Sequence, residues 1–254
     1  MKQPSDIKIL VIGDSCEDIF VYGNCHRICP EAPVPVFNPN SLETTNMGMA
    51  GNVYKNVQAL GYHCELLTNE NRITKTRYID EKSNQMLIRV DSNDVASELE
   101  DLDEKLDWIQ TFDAVIVSDY DKGFLYEEDI EKIARASRFC LLDTKKFLGS
   151  WCKAFNYIKI NQIEEAFNLE SLGNLDAYED QLVVTLGGAG CRYKDLVCKP
   201  TRNVQTIDVS GAGDTFMAAF ATSMVQDKSD ITKAMNFANE CALKVIKQRG
   251  VATV

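Results

Sequence analysis

Residues Ile7–Ile12 form an apolar run, broken only by Lys8, that stops at Gly13-Asp14. Such a run suits a strand buried on both faces. Apolar positions at helical spacing (Ala50, Val53, Tyr54, Val57, Leu60) predict a helix over Ala50–Leu60, with Gly61 as its stop. Short apolar runs then predict strands at Cys64–Leu67, Ala114–Val117, Phe139–Leu142, Tyr157–Ile160 and Leu182–Thr185. Between and after them, periodic segments predict helices at about Ser97–Gln110, Glu127–Ala136, Glu164–Phe167, Ala212–Val225 and Asp230–Lys247. A hairpin is expected at Cys191–Tyr193/Leu196–Lys199. Strand–helix alternation of this kind predicts an α/β fold, a three-layer α/β/α sandwich around a mainly parallel sheet.

Two stretches interrupt the alternation. PEAPVPVFNP holds four of the six prolines, so Val36-Phe37 reads as an edge strand or lid. Thr76–Ile79 and Met86–Val90, flanking a polar DEKSNQ, read as a second hairpin. Lid strands inserted at about 20–47 and 74–91 would form a small β-sheet beside the main one. No repeat, low-complexity tract or long linker divides the chain, so residues 1–254 are read as one domain.

Composition narrows the function classes. The chain is 45% hydrophobic and 26% charged, ordinary for a globular protein with a substantial core. A formal net charge of −11 repels nucleic acid and anionic membrane, so neither is expected as a partner. No signal-peptide pattern and no apolar run of membrane-spanning length are read, and a cytoplasmic location is expected. Nine scattered cysteines suit reduced core thiols. Cys25-His26-x-x-Cys29 lacks the second ligand pair that a structural zinc site needs.

The sharpest chemical feature is Asp208-Val-Ser-Gly-Ala-Gly-Asp214-Thr215, immediately ahead of an apolar-periodic helix. Gly211 and Gly213 allow a tight turn in which successive N–H groups converge, and the helix adds the positive end of its dipole. Such a nest suits an anion like a transferring phosphoryl group, with Asp214 placed to accept a hydroxyl proton. On spacing alone an ordinary Gly-rich loop with a capping Asp remains the alternative. No G-x-x-x-x-G-K-[ST] is present, so a P-loop kinase is not the template.

DVSGAGDTF resembles the second signature of the PfkB, or ribokinase-like, family of carbohydrate and nucleoside kinases. The resemblance implies a ribokinase-like fold, with Asp214 as catalytic base and the backbone of Gly211, Ala212 and Gly213 as anion hole. It places Asp14 and Asp18 on sugar hydroxyls, and Gly48 and Asn52 in the substrate pocket through the GGAANVA-like Gly48-Met-Ala-Gly51-Asn52-Val53. Asn161-Gln-Ile-Glu164 matches an N-x-x-E motif, which implies a nucleotide contact at Asn161 and a magnesium ion supported by Glu164 through water. Thr185, Gly187 and Gly190 would lie along ATP, Asn239 beside the adenine, and Asp208 at a candidate potassium site.

RICPEAPVPV (27–36), SDYDKG (118–123) and the closing GVATV resemble, within that family, the heptose-phosphate kinase domain of bacterial lipopolysaccharide-precursor enzymes. A sugar-phosphate acceptor is thereby implied, with Arg89 and Lys145, or else Arg27, as candidates for its phosphate. The rivals are a kinase of the same family for ribose, a hexose phosphate or a nucleoside, and an inactive binding homologue. Between Leu67 and Ile73 the chain has only TNENR, where the family carries a helix and a strand, and it ends at Val254, before a further expected helix. Lids in this family often clasp one another, so a homodimer through the lid is expected.

Overall fold

Strand β1 (Lys8–Gly13) is buried along all but its first residue, and its side chains divide between two cores. Ile9 and Val11 face one helical layer, Leu10 and Ile12 the other, as the two-residue period of a strand requires. The computed structural model describes residues 3–201, 206–248 and 250–254. Parallel neighbours of β1 are β4 (His63–Leu67) on one side and β7 (Ala114–Asp119) on the other. The sheet continues in parallel through β8 (Cys140–Thr144), β9 (Tyr157–Asn161) and β10 (Leu182–Thr185). It ends in the antiparallel pair β11 (Cys191–Tyr193) and β12 (Leu196–Cys198), giving eight strands with β12 and β4 at the edges.

Helices α1 (Ala50–Ala59), α5 (Ala212–Gln226) and α6 (Ile231–Val245) cover one face through Val53, Val57, Phe216, Phe220 and Met235. Helices α2 (Leu102–Ile109) and α3 (Glu127–Ala136) cover the other through Ile109, Ile130 and Ile133. Each such side chain, fully buried, contributes about 1.5–3 kcal/mol. Helix α4 (Gln162–Leu172) joins β9 to β10 and is longer than the sequence pattern suggested. The three-layer sandwich is therefore as the alternation predicted, with one shortened element. Residues 97–101 lie outside the helix, because Ala96 N, Ser97 N and Leu99 N bond to Lys122 O, Asn71 Oδ1 and Phe124 O and Asp101 takes a left-handed backbone conformation.

The inserted stretches form a separate four-stranded sheet in the order β3-β2-β5-β6. Strand β2 (Ser15–Ile28) pairs antiparallel with β3 (Pro35–Met49) and parallel with β5 (Thr74–Asp80), which pairs antiparallel with β6 (Gln85–Ser92). Pro35 and Pro39 lie on β3, an edge strand, where the missing N–H costs no ladder bond. Its small core is Phe20, Tyr22, Ile79 and the near-terminal Val251. Strand β6 is exposed throughout.

Three of the four chain crossings between the two sheets are short, and the fourth runs from β6 through α2 to β7. Asp14 alone separates β1 from β2, and Met49 leads directly into α1, with Ala50 N bonded to Asp14 O. The third crossing, residues 68–73, runs from β4 straight to β5. Its Asn69 acts as a surrogate strand: Oδ1 accepts Ser15 N at 2.7 Å and Nδ2 donates to Ser15 O at 3.3 Å. Thr68 Oγ1 donates to Gly13 O at 2.7 Å. Asn69→Ala strands a part-buried amide and carbonyl, and unfolding in denaturant is expected to show a loss of about 1–3 kcal/mol. A midpoint equal to the native one would mean that these bonds stabilise nothing.

Candidate active site

The site grows from the start of α5. Gly211 has φ +77°, and a Cβ there would stand 2.5 Å from Asn52 Nδ2, so the turn requires glycine on two counts. The helix begins at Ala212, and the amides of Gly213 and Asp214 fall in the first turn, where a helix offers no carbonyl of its own. Asp214 is buried at the head of this turn. Its Oδ1 accepts the Tyr120 hydroxyl at 2.5 Å and its Oδ2 accepts Asn52 Nδ2 at 2.9 Å. Burial pushes its pKa up to about 6, with Asp143 adding to the rise, while the two hydrogen bonds and Lys159 oppose it.

Each partner is itself held. Asn56 Nδ2 donates to Asn52 O (2.9 Å) and Oδ1 (3.0 Å), and Asn56 Oδ1 accepts Thr215 Oγ1 (3.3 Å) and Val254 N (3.2 Å). Lys159, in the middle of β9, is buried against Asp143 at 2.7 Å, and its Nζ lies 3.3 Å from where a Gly213 Cβ would be. A cation thus stands directly beside the glycine turn. Asp143 Oδ1 is buried with no hydrogen-bond partner among the described residues.

A cleft of about 570 Å³ opens beside Asp214, and Tyr120, Lys145, Lys159, Asn161, Thr185, Gly187, Gly190, Gly211, Ala212, Gly213 and Asn239 all line it. The residues expected along a nucleotide are therefore brought together with the glycine turn, at the C-terminal ends of the parallel strands. Asn161-x-x-Glu164 is physically a capping box. Asn161 Oδ1 accepts Ile163 N and Glu164 N, and Glu164 Oε2 accepts Asn161 N at 2.8 Å. The other Glu164 oxygen forms an ion pair with Lys145, which lines the cleft. Asn239 Nδ2 donates to Cys198 O at 3.0 Å and so fixes the end of β12 beside the cleft.

On the lid side, Asp18 is buried and paired with Arg77, and a Cβ on Gly48 would fall 2.0 Å from Asp18 Oδ2. Asp18 and Gly48 thus lie against each other on neighbouring lid strands, and Asn52 bonds to Asp214. The expectation for Asp14 needs correction. It is fully buried, and its two oxygens accept Tyr120 N (2.6 Å) and Phe124 N (3.3 Å), so it anchors a loop instead of facing a ligand. Arg89 is exposed on β6, paired with Asp91 and directly opposite Arg77 in the β5–β6 ladder. Lys145 lies in the cleft with Glu164, not among the lid residues. Arg27 is exposed on the lid. Asp208 turns its loop by accepting Ser210 N (2.8 Å) and Gly250 N (3.1 Å).

Sequence reading missed Tyr120, Lys75, Arg77, Asn56 and the Lys159–Asp143 pair. Lys159 carried a signal, since a lysine within YIKIN has no reason to sit in a buried strand unless it is paired. Lys75 and Arg77 share one face of β5 by strand periodicity, and their register opposite Asp18 and Phe20 puts them beside the site.

The pattern of the pfkB family carbohydrate kinases matches residues 62–254. With that match covering most of its length, the chain belongs to the pfkB family of carbohydrate kinases, enzymes that phosphorylate a sugar hydroxyl. Among curated relatives, the bifunctional protein HldE of Helicobacter pylori (strain HPAG1) is 32% identical over 96% of this chain and 64% of its own. HldE of Nitratiruptor sp. is 30% identical over 97% of this chain and 63% of its own. The chain thus spans just under two thirds of these relatives. The first of these alignments runs to 299 positions whereas the chain has 254 residues, so at least 45 positions of that relative have no counterpart here. Ribokinase from Thermotoga maritima shares the fold with a TM-score of 0.71 at 17% identity, covering 96% of this chain and 94% of that one. Escherichia coli phosphofructokinase-2, in complex with potassium, superposes with a TM-score of 0.67 at 15% identity over 96% and 94% of the two chains.

A base with a pKa near 6 is ionised at neutral pH and protonated below it. With a saturating nucleotide, kcat/KM for the acceptor is expected to fall about tenfold per pH unit below pH ~6 and to stay level from pH 7 to 8.5. A profile that is level down to pH 4.5 would place the proton acceptor elsewhere.

Proposed function

We propose that this chain transfers the γ-phosphoryl group of ATP to a hydroxyl of a sugar phosphate, of the kind a heptose 7-phosphate represents. The observation that carries the reading is Asp214, a buried carboxylate held at both oxygens within the first turn of a glycine-started helix. In-line transfer needs little covalent help from the protein, so positioning and charge stabilisation dominate. Asp214 takes the acceptor's proton. The amides of Gly211, Ala212 and Gly213, with Lys159 behind them, face the transferring phosphoryl group. ATP lies along Asn161, Thr185, Gly187, Gly190 and Asn239. Asp18, Gly48 and Asn52 hold the acceptor.

Magnesium is a hard cation that takes oxygen ligands and keeps several waters. Glu164 and the orphaned Asp143 Oδ1 suit it, and both lie close enough to Lys145 to act on its charge. When bound, the ion would neutralise phosphate charge. A potassium ion near Asp208 would rely on backbone carbonyls, since that carboxylate is spent on two amides.

The acceptor's own phosphate is better matched by Lys75 than by Arg89 or Lys145. Lys75 is part-buried between Met49 Sδ (3.3 Å) and the Tyr120 ring (5.7 Å to its centroid). It has no carboxylate ion pair among the described residues, whereas Arg77, Lys145, Lys146 and Lys159 each have one. A part-buried ammonium facing a thioether favours an anionic ligand. Similarity to the HldE proteins supports the same substrate class.

One assay tests the reading: ATP consumption with magnesium over a panel of neutral sugars, sugar phosphates and nucleosides. Asp214→Asn is expected to lose ~10²–10⁴-fold in kcat with nucleotide affinity retained. Lys75→Gln is expected to raise KM about tenfold or more for phosphorylated acceptors and to leave neutral sugars alone. Equal effects on both would remove Lys75 from phosphate recognition, and preference for a nucleoside would overturn the acceptor class.

We further propose that the two sheets act as one catalytic domain and that the lid pairs with a second copy. Met86, Ile88 and Val90 are exposed on β6, and β3 and β6 are open edges. Apolar side chains on an open edge favour pairing. Light scattering at micromolar concentration should give twice the chain's mass, and a monomer at full activity would refute it.

A further inference from the structure

Tyr120 stands where the two halves of the site meet. Its ring has Lys75, from the lid, 5.7 Å from its centroid and Lys145, from the nucleotide side, at 5.3 Å. Its hydroxyl donates to Asp214 Oδ1 at 2.5 Å. The backbone that delivers it is fixed with unusual thoroughness. Asp14, fully buried, accepts the amides of both Tyr120 and Phe124. Lys146 ties Asp119 to Asp121 (2.8 and 3.0 Å), and Thr144 Oγ1 donates to Asp119 Oδ2 at 2.5 Å. Asp121 and Gly123 take positive φ to turn the loop. A buried carboxylate spent wholly on one loop is costly unless that loop must be placed accurately.

We propose that Tyr120 is a positioning residue for the base: its hydroxyl orients the Asp214 carboxylate and keeps it ionised in a buried site, and Asp14 sets the tyrosine. The groups that act on Asp214 from the surrounding elements are Asn52 from α1, Asp143 from β8, Lys159 from β9, Lys145 after β8 and Cys16 from β2. Asn52 holds Oδ2, so without the phenol Oδ1 loses its protein donor. The hydrogen bond favours the charged carboxylate, so its loss must raise the pKa at which the base protonates.

The proposal rests on the reading of Asp214 as the base. The test is the pH dependence of kcat/KM for native protein and Tyr120→Phe, with thermal unfolding and ATP affinity as checks of folding. The acid limb is expected to move upward by about one to two pH units, the size that loss of one hydrogen bond to an ionised group implies. Activity is then recovered at pH 8.5 relative to pH 7. A ring-fluorinated tyrosine at position 120 keeps the shape and is a stronger donor, so its limb moves downward. That variant decides the matter if Tyr120→Phe fails to fold. A native profile without an acid limb overturns the base itself. A native limb that neither variant moves overturns the role of Tyr120 alone.

Discussion

A carboxylate sealed from water stays ionised only where donors surround it, and the position of Asp214 obliges distant parts of the chain to supply them. Tyr120 comes from the end of β7, through a loop clamped by Asp14. Asn52 comes from the first turn of α1 and is steadied by Asn56, which also reaches Thr215 and the amide of Val254. Gly211 is small because Asn52 needs the space. Four segments far apart in sequence are thus committed to one ion, and their agreement defines the centre of the fold.

Beside this carboxylate, any phosphate must be held by local donors. A net charge of −11 offers no long-range attraction, so binding of phosphate groups falls to local features. The glycine turn, the helix terminus and Lys159 are all within reach of one spot. Lys145 is paired with Glu164. In the proposed mechanism a phosphate and a magnesium ion would divide that pair between them, exchanging one set of opposite charges for another with little net desolvation.

The sandwich was legible because buried parallel strands and amphipathic helices leave periodic traces. Lid strands were legible in position but not in length, since β2 buries Asp18 while Ile19 and Val21 are only part-buried, and β3 turns several polar residues to solvent. DVSGAGDT was legible because a glycine turn before a helix constrains residue type at each step. What failed was the distinction between two aspartates four residues apart. Asp14 and Asp18 look equally available in sequence, yet one is consumed by the Tyr120 loop and the other meets Arg77 on the lid. The N-x-x-E motif shows a related ambiguity, because Asn161 lines the cleft and also caps α4 together with Glu164. Tyr120 left no trace, for nothing local marks which loop tyrosine will reach a base.

Three of the four chain crossings between the sheets converge on one place, where Asp14–Ser15, Met49–Ala50 and Asn69 are joined by hydrogen bonds. Mechanically this is a pivot. Asp18, three residues along β2, sits about 10 Å from it at the usual rise per residue, so a 10° swing of the lid displaces it by only about 2 Å. The far end of the same strand, near Ile28, sweeps several times that arc. A rigid swing about this point would open the rim widely while leaving Asp18, at its root, almost in register with Asp214.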